Sequence, residues 1–197
     1  MKLPIILASA SPARLRLLRQ IGITPDQVLP SDIDETEQPQ ESPRKLAERL
    51  ALGKATAIAN TIDKGIIIGA DTVPVAGRSI MRKAATQDDI RKSMELLSNR
   101  RHRIYTGVCV IKKDTSEYKV LNRVVKSTLK FKKLSKTEID YYCTLEEGIG
   151  NAGGYTVQGY AESYISFLSG SFSNIVGLPL FETINMLNSV GFYVHCK

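Results

Sequence analysis

Apolar positions follow two rhythms along this chain, and the change from one to the other marks where its elements should begin and end. Ile5 to Ala8 is an unbroken apolar run, as expected of a strand covered on both faces. Ser11-Pro12 then opens a helix that the spacing predicts to reach Gln20, with Ser11 as its cap and Pro12 at the first helical position. Asp32 to Gln40 is polar and acidic and reads as a loop. Ser42-Pro43 repeats the start signal, and Leu46, Ala47, Leu50, Ala51, Ala55 and Ile58 recur behind it at helical spacing. Gly65 to Ala70 (GIIIGA) is a second continuous apolar run, which predicts a buried strand ending just before Asp71.

Beyond it the pattern predicts a helix over Asp88 to Leu97 and two long strands, Arg103 to Lys112 and Tyr118 to Phe131, joined near Asp114-Thr115 as antiparallel neighbours. Ser135 to Tyr142 reads as a short helix. Gly148 to Gly159 reads as a loop, since no strand-turn-helix unit surrounds its glycines. Tyr164 to Leu168 fits a strand, and Gly177-Leu178-Pro179 starts a last helix running through Leu187 to Val190. No repeat, low-complexity segment or linker divides the chain, so residues 1–197 read as a single domain. The alternation predicts an α/β fold whose sheet is neither wholly parallel nor wholly antiparallel.

Composition narrows the chemistry. With 43% hydrophobic and 24% charged residues in 197, the chain is globular rather than disordered and long enough for a sizeable core. A net charge of +7 favours anionic ligands: nucleotides, nucleic acid or acidic lipid. The densest basic stretch, Lys126, Lys130, Lys132, Lys133 and Lys136, reads either as a phosphate-tracking surface or as the solvated face of a strand and turn. Only Phe131 interleaves an aromatic there, which counts against nucleic-acid binding. Cys109, Cys143 and Cys196 form no CxxC pair, and His102 and His195 stand at no ligand spacing, which argues against zinc. Free thiols in a reducing cytosol account for them. Met1 to Ala8 has the look of a short signal peptide, yet the helix start that follows at once favours a buried first strand. No run approaches the ~20 apolar residues of a membrane span.

Two places could carry chemistry on that framework. In Ser9-Ala10-Ser11-Pro12-Ala13-Arg14 a strand ends, hydroxyl residues turn the chain, and a helix N-terminus follows with an Arg in its first turns. Unpaired N–H groups, the helix dipole and a bidentate guanidinium make an anion cradle; the same residues also make an ordinary capped helix with a surface Arg. Asp71-Thr72 stands where open α/β sheets place ligands, at the carboxyl end of a strand, where a carboxylate can hold Mg²⁺ or activate water. It is equally a turn residue bonding local N–H groups. Asp34-Glu35 could add oxygen ligands or simply be solvated loop. Lys54 and Lys83 could neutralise phosphate or be surface lysines. Ser42-Pro43-Arg44-Lys45 matches an SxxK pattern, but Ser42 is needed as a cap and no SDN or KTG companion exists.

Taken together these pieces resemble the Maf family of nucleoside triphosphate pyrophosphatases, the septum-formation Maf-like proteins, from Leu7 to Gly191. LASASPAR at Leu7 to Arg14 fits the SxSxR signature, Asp34-Glu35-Thr36 the DET element, and Leu50-Ala51 with Lys54-Ala55 the LAxxKA helix. Gly69-Ala70-Asp71-Thr72-Val73 fits the GADT segment, and Arg101, His102, Tyr105, Thr106 and Gly107 the RxHxVxTG strand. Ala152-Gly153-Gly154-Tyr155 with Gln158-Gly159 fits the AGxYxIQG loop, and Gly170-Ser171, Asn174 and Gly177-Leu178-Pro179 the GSxxNxxGLP stretch.

The resemblance implies an elongated, two-lobed mixed sheet flanked by helices with a deep central cleft, similar to inosine triphosphate pyrophosphatases. It implies cytoplasmic hydrolysis between the α- and β-phosphates to a monophosphate and pyrophosphate with Mg or Mn, by a homodimer. Asp71 would be the proton acceptor, with Ser9, Ser11, Arg14, Glu35, Lys54 and Lys83 on the phosphates and Asp71 and Glu35 on the metal. Members preferring dTTP and UTP carry Arg after the SxSP proline, Thr after the catalytic Asp and Gln in the IQG element. Thr72 and Gln158 match, whereas Ala13 departs, and the usual Lys-Pro pair reads Lys83-Ala84. The implied rival is a nucleotide-binding regulator of cell division with weak or no catalysis.

Overall fold

The computed structural model describes residues 3–194, so Cys196 and His195 lie outside the described residues. The sheet has the strand order β2-β1-β3-β5-β6-β7, with β4 paired to β3. Its strands are β1 (Ile5–Ala8), β2 (Gln27–Val28), β3 (Gly65–Ala76), β4 (Ser79–Ile80), β5 (Arg101–Lys113), β6 (Tyr118–Phe131) and β7 (Ile165–Ser169). Helices α1 (Pro12–Gln20), α2 (Pro43–Ala59), α3 (Gln87–Leu97), α4 (Lys136–Leu145), α5 (Phe172–Val176) and α6 (Leu180–Ser189) complete it. β1 runs parallel to β2 and β3, while β3–β4 and β6–β7 are antiparallel, so the sheet is mixed as the alternation predicted.

The chain gathers into two compact units, each assembled from separate segments: Met1–Asp71, Thr106–Val125 and Gly177–Lys197 form the first, Thr72–Tyr105 and Lys126–Val176 the second. In the first unit Ser11 and Ser42 cap α1 and α2 by accepting the N–H groups of Arg14 and Lys45, each with proline in the first turn. One face of α2 carries Ala47, Ala51, Ala55 and Ala59, all fully buried. These methyl groups let the helix lie against backbone. A Cβ on Gly69 would come 2.6 Å from the Ala51 carbonyl oxygen, and one on Gly107 would come 2.0 Å from that of Ala47. The core beside this contact is Ile6, Ala8, Ile58, Ile67, Cys109 and Ile111.

The second unit packs α3 and α4 together, with Arg91 paired to Asp140, over a core rich in aromatics: Phe131, Tyr142, Tyr155 and Tyr164 meet edge to face. His102 is buried among them, its Nε2 2.7 Å from the Tyr155 hydroxyl, with no hydrogen-bond partner at Nδ1. Burial pushes its imidazole down to about 4.

Two expectations need correction. The GIIIGA strand does not stop before Asp71: β3 continues to Ala76, because Val73 and Val75 keep it buried and β4 folds back on its end, Val75 opposite Ile80. Asp71 therefore lies inside a strand rather than in a turn after one. Short elements also went unforeseen, namely β2, β4, α5 and a 3-10 turn at Tyr160–Tyr164, and α4 runs on to Leu145. The other boundaries agree within two or three residues.

Two measurements follow from this packing. Gly107→Ala should lower unfolding free energy by at least about 2 kcal/mol through overpacking, read as a lower denaturant midpoint at unchanged slope. For His102 the folded pKa is depressed from 6.5 to about 4, so its contribution is fully present above about pH 6.5 and lost as pH falls towards 4. Relative to His102→Gln, the wild type should lose ~3 kcal/mol across that window in pH-dependent denaturation.

Candidate active site

Gly69 and Asp71 are two apart in β3, so their side-chain positions share the face that α2 covers. Lys54, on α2 beside Ala55, reaches that face. Its Nζ lies 2.6 Å from Asp71 Oδ1 and 2.6 Å from Glu35 Oε1. Lys54 and Asp71 are each 8% exposed, whereas the Glu35 side chain, on the loop between β2 and α2, is 46% exposed. Lys54 is thus not one of the surface lysines its isolation in sequence allowed for; it is a buried ammonium held between two carboxylates. Such burial is tolerated because pairing offsets the desolvation of both charges.

The strand-to-helix turn after β1 belongs to the same unit. Ser9 is buried; its Oγ accepts the Ser11 N–H at 3.2 Å and an Arg14 Nη1 proton at 3.0 Å. Arg14 also donates from Nε to the Gly177 carbonyl at 2.8 Å, which fixes the plane of the guanidinium. Burial lowers the Arg14 pKa, and the Asp71 and Glu35 carboxylates pull it back up. An arginine remains a cation throughout. Ala13 is half-buried in the first turn of α1 and puts no long side chain at that position.

Side chains of the acidic loop also bond within it. Asp34 Oδ1 accepts the Thr36 N–H at 2.9 Å, and Thr36 hydrogen bonds hold the Asp34 carboxyl below its ordinary range. Glu41, bonded by Arg49, is likewise held low. Neither Arg49 nor Glu41 stands out in the sequence, where they lie eight positions apart across an ordinary helix start.

Thr72, Lys83 and Gln158 lie in the second unit: Thr72 half-buried and next after Asp71 in β3, Lys83 and Gln158 exposed. Residues 82–84 are strapped to the glycine loop. Lys83 bridges to Ala152, Gly150 N–H donates to the Ala84 carbonyl at 2.8 Å, and Gly153 N–H to that of Arg82 at 3.0 Å. Ala84 donates its own N–H to the Asn151 carbonyl at 3.3 Å, a bond that a proline there would forfeit. The departure Lys83-Ala84 thus keeps the segment in place by other means.

Among the described residues no three His, Cys, Asp or Glu side chains gather to form a metal cage. Asp71 and Glu35 nonetheless bring two carboxylates together as hard oxygen donors, one oxygen of each on the Lys54 ammonium. One or two carboxylates beside phosphate oxygens are what Mg²⁺ commonly takes, so this donor set fits such an ion. The first unit thereby offers two carboxylates on a buried ammonium, a braced guanidinium that feels both carboxylates, and a capped helix start, a set suited to holding an anion while orienting a water.

Comparison with known proteins places the chain by its sequence. A nucleoside triphosphate pyrophosphatase of Rickettsia felis is 53% identical over 194 residues, 98% of this chain and 96% of that protein. Its namesake in Rickettsia rickettsii (strain Sheila Smith) is 54% identical over 191 residues, 96% and 89% of the two chains. A solved structure, the Ham1 protein of Staphylococcus aureus, is 20% identical, covers 64% of this chain and 71% of that one, and superposes with a TM-score of 0.41. The family model for Maf-like protein matches residues 4–190, nearly the whole described length, and the chain belongs to the Maf family.

Proposed function

We propose that this protein is a nucleoside triphosphate pyrophosphatase that cleaves the α–β phosphoanhydride, releasing a nucleoside monophosphate and pyrophosphate. The observation that carries the reading is the buried Lys54 ammonium, 2.6 Å from both Asp71 and Glu35, beside the braced Arg14. Relatives more than half identical over nearly their whole length bear the same activity in their names.

In this mechanism Asp71 orients a water against the α-phosphorus and takes its proton as the new P–O bond forms. The bond to the bridging oxygen breaks, and pyrophosphate departs with that oxygen. Lys54 holds the Asp71 carboxylate in one orientation, so the base meets the water without first reorganising. Ser9, Ser11, the N–H groups opening α1 and Arg14 take up the phosphate oxygens; the family pattern alone assigns Lys83 to them as well. A divalent cation such as Mg²⁺ or Mn²⁺, held by Asp71 and Glu35, would neutralise charge on the triphosphate.

The finer reading is a preference for pyrimidine triphosphates, dTTP or UTP, or for modified ones, supported by Thr72 and Gln158. Ala13 removes the large cation expected there and broadens the choice. The compartment we infer is the cytoplasm; among the described residues no helix is long and apolar enough to cross a membrane. A homodimer completes the proposal.

With Mg²⁺ or Mn²⁺ the purified protein should release pyrophosphate from a panel of triphosphates, fastest on dTTP or UTP. Asp71→Asn should reduce turnover by about 100- to 10,000-fold at unchanged circular dichroism. Nucleotide binding with no turnover by either form would replace hydrolysis with a regulatory role. Ala13→Arg should sharpen the pyrimidine preference; an unaltered ratio of kcat/KM across the panel would sink the account of that position.

A further inference from the structure

Glu35 presents a positioning problem that Asp71 does not. Asp71 is fixed by a strand, but Glu35 stands on an exposed loop with no regular structure between Val28 and Pro43. A carboxylate must be held to within a fraction of an ångström to act on a metal or a phosphate. Something outside the loop has to hold it.

α2 does so on both sides of Glu35. Before it, Ile33 packs on the helix at Gly53, where a Cβ would come 3.1 Å from Ile33 Cδ1. After it, Arg49 donates from Nη2 to the Thr36 carbonyl at 2.8 Å. The same guanidinium forks onto Glu41, Nε to Oε1 at 2.7 Å and Nη2 to Oε2 at 2.8 Å. Glu41 Oε2 in turn accepts the Gln38 N–H at 3.1 Å. With its side chain only 7% exposed, Glu41 is a firm anchor for that fork. One planar group therefore grips the residue next to Glu35 and the far end of its loop at once.

We infer that Arg49 is a positioning residue for the reaction: through the Thr36 carbonyl and Glu41 it sets the place of the Glu35 carboxylate beside Lys54. The inference rests on the role proposed above for Glu35. The Arg49 guanidinium feels the Asp71 charge but its hydrogen bonds run to Glu41 and the Thr36 carbonyl, and the role needs no contact with substrate. Its planar fork is what the arrangement uses; a lysine, with a single charged point on a flexible stem, cannot meet both Glu41 oxygens and the Thr36 carbonyl together.

A double-mutant cycle on the full chain separates positioning from general support. Arg49→Met should lower kcat/KM for pyrophosphate release from dTTP by about 10- to 100-fold, the range seen when residues supporting a ligand are removed. In a Glu35→Gln background the same change should cost less than about twofold, because the group it positions has already gone. Arg49→Lys should recover little of the loss. Amide exchange should quicken at residues 33–41 and stay unchanged in α3 and α4. Losses that multiply in the double variant, or full activity in Arg49→Met, would overturn the inference. Should Arg49→Met fail to fold, Arg49→Lys and Glu41→Gln carry the same cycle. If Glu35→Gln alone is silent, the role of Glu35 is wrong and that of Arg49 falls with it. A loss in Asp71→Asn would still leave hydrolysis standing.

Discussion

The close approach of α2 to β3 and β5 is the constraint on which the site is built. Gly69 and Gly107 offer no side chain, the helix answers with alanine methyls, and carbonyl groups of Ala47 and Ala51 occupy the space where Cβ atoms would be. An ordinary pair of side chains at either glycine would lift the helix away from the strands. Because the helix lies so near, the stem of Lys54 is pressed along the sheet and its ammonium is delivered to Asp71, two residues beyond Gly69 on the same face. The packing of the first unit and the chemistry proposed for it are consequences of the same contact.

That delivery has an electrostatic cost. An ammonium and a carboxylate both 8% exposed have exchanged most of their hydration for each other, and such pairs add little net stability. Removing one partner is costly because the other is left buried and alone. The arrangement is therefore poor as a stabilising device and good as an orienting one: two carboxylates are held at fixed places around a cation, with Arg14 braced nearby by Ser9 and Gly177. The second unit is held differently, by a buried aromatic cluster around a neutral imidazole.

Much of the framework could be read from the chain. β1, α1 and α2 carry continuous or periodic apolar patterns with Ser-Pro starts, and their boundaries agree with expectation. β3 is longer than its apolar run because two polar residues, Asp71 and Thr72, break the pattern inside a strand that packing keeps covered. β2 and β4 are two residues each and exist only by pairing with β1 and β3, so no local pattern announces them. The family signatures pointed to Asp71, Lys54, Glu35 and Arg14 as residues but not to their geometry. Partners 17 residues apart, across a helix and a strand, leave no periodic trace. Arg49 was harder still, since its meaning depends on an irregular loop folding back on it.

Arg14 and the Gly177 carbonyl that braces it are 163 residues apart in the chain. The first unit takes its opening segment from the beginning of the sequence and its closing helix, α6, from beyond residue 176, with the whole second unit synthesised in between. A nascent chain can therefore form β1 and α1 early, yet it cannot brace the guanidinium until residue 177 has been made. Chains with such distant pairings fold slowly, and their exposed strands wait for partners not yet made. A product that stops short of residue 177 would carry the serines and the arginine without the carbonyl that braces the guanidinium, so the anion cradle closes long after its own residues are made.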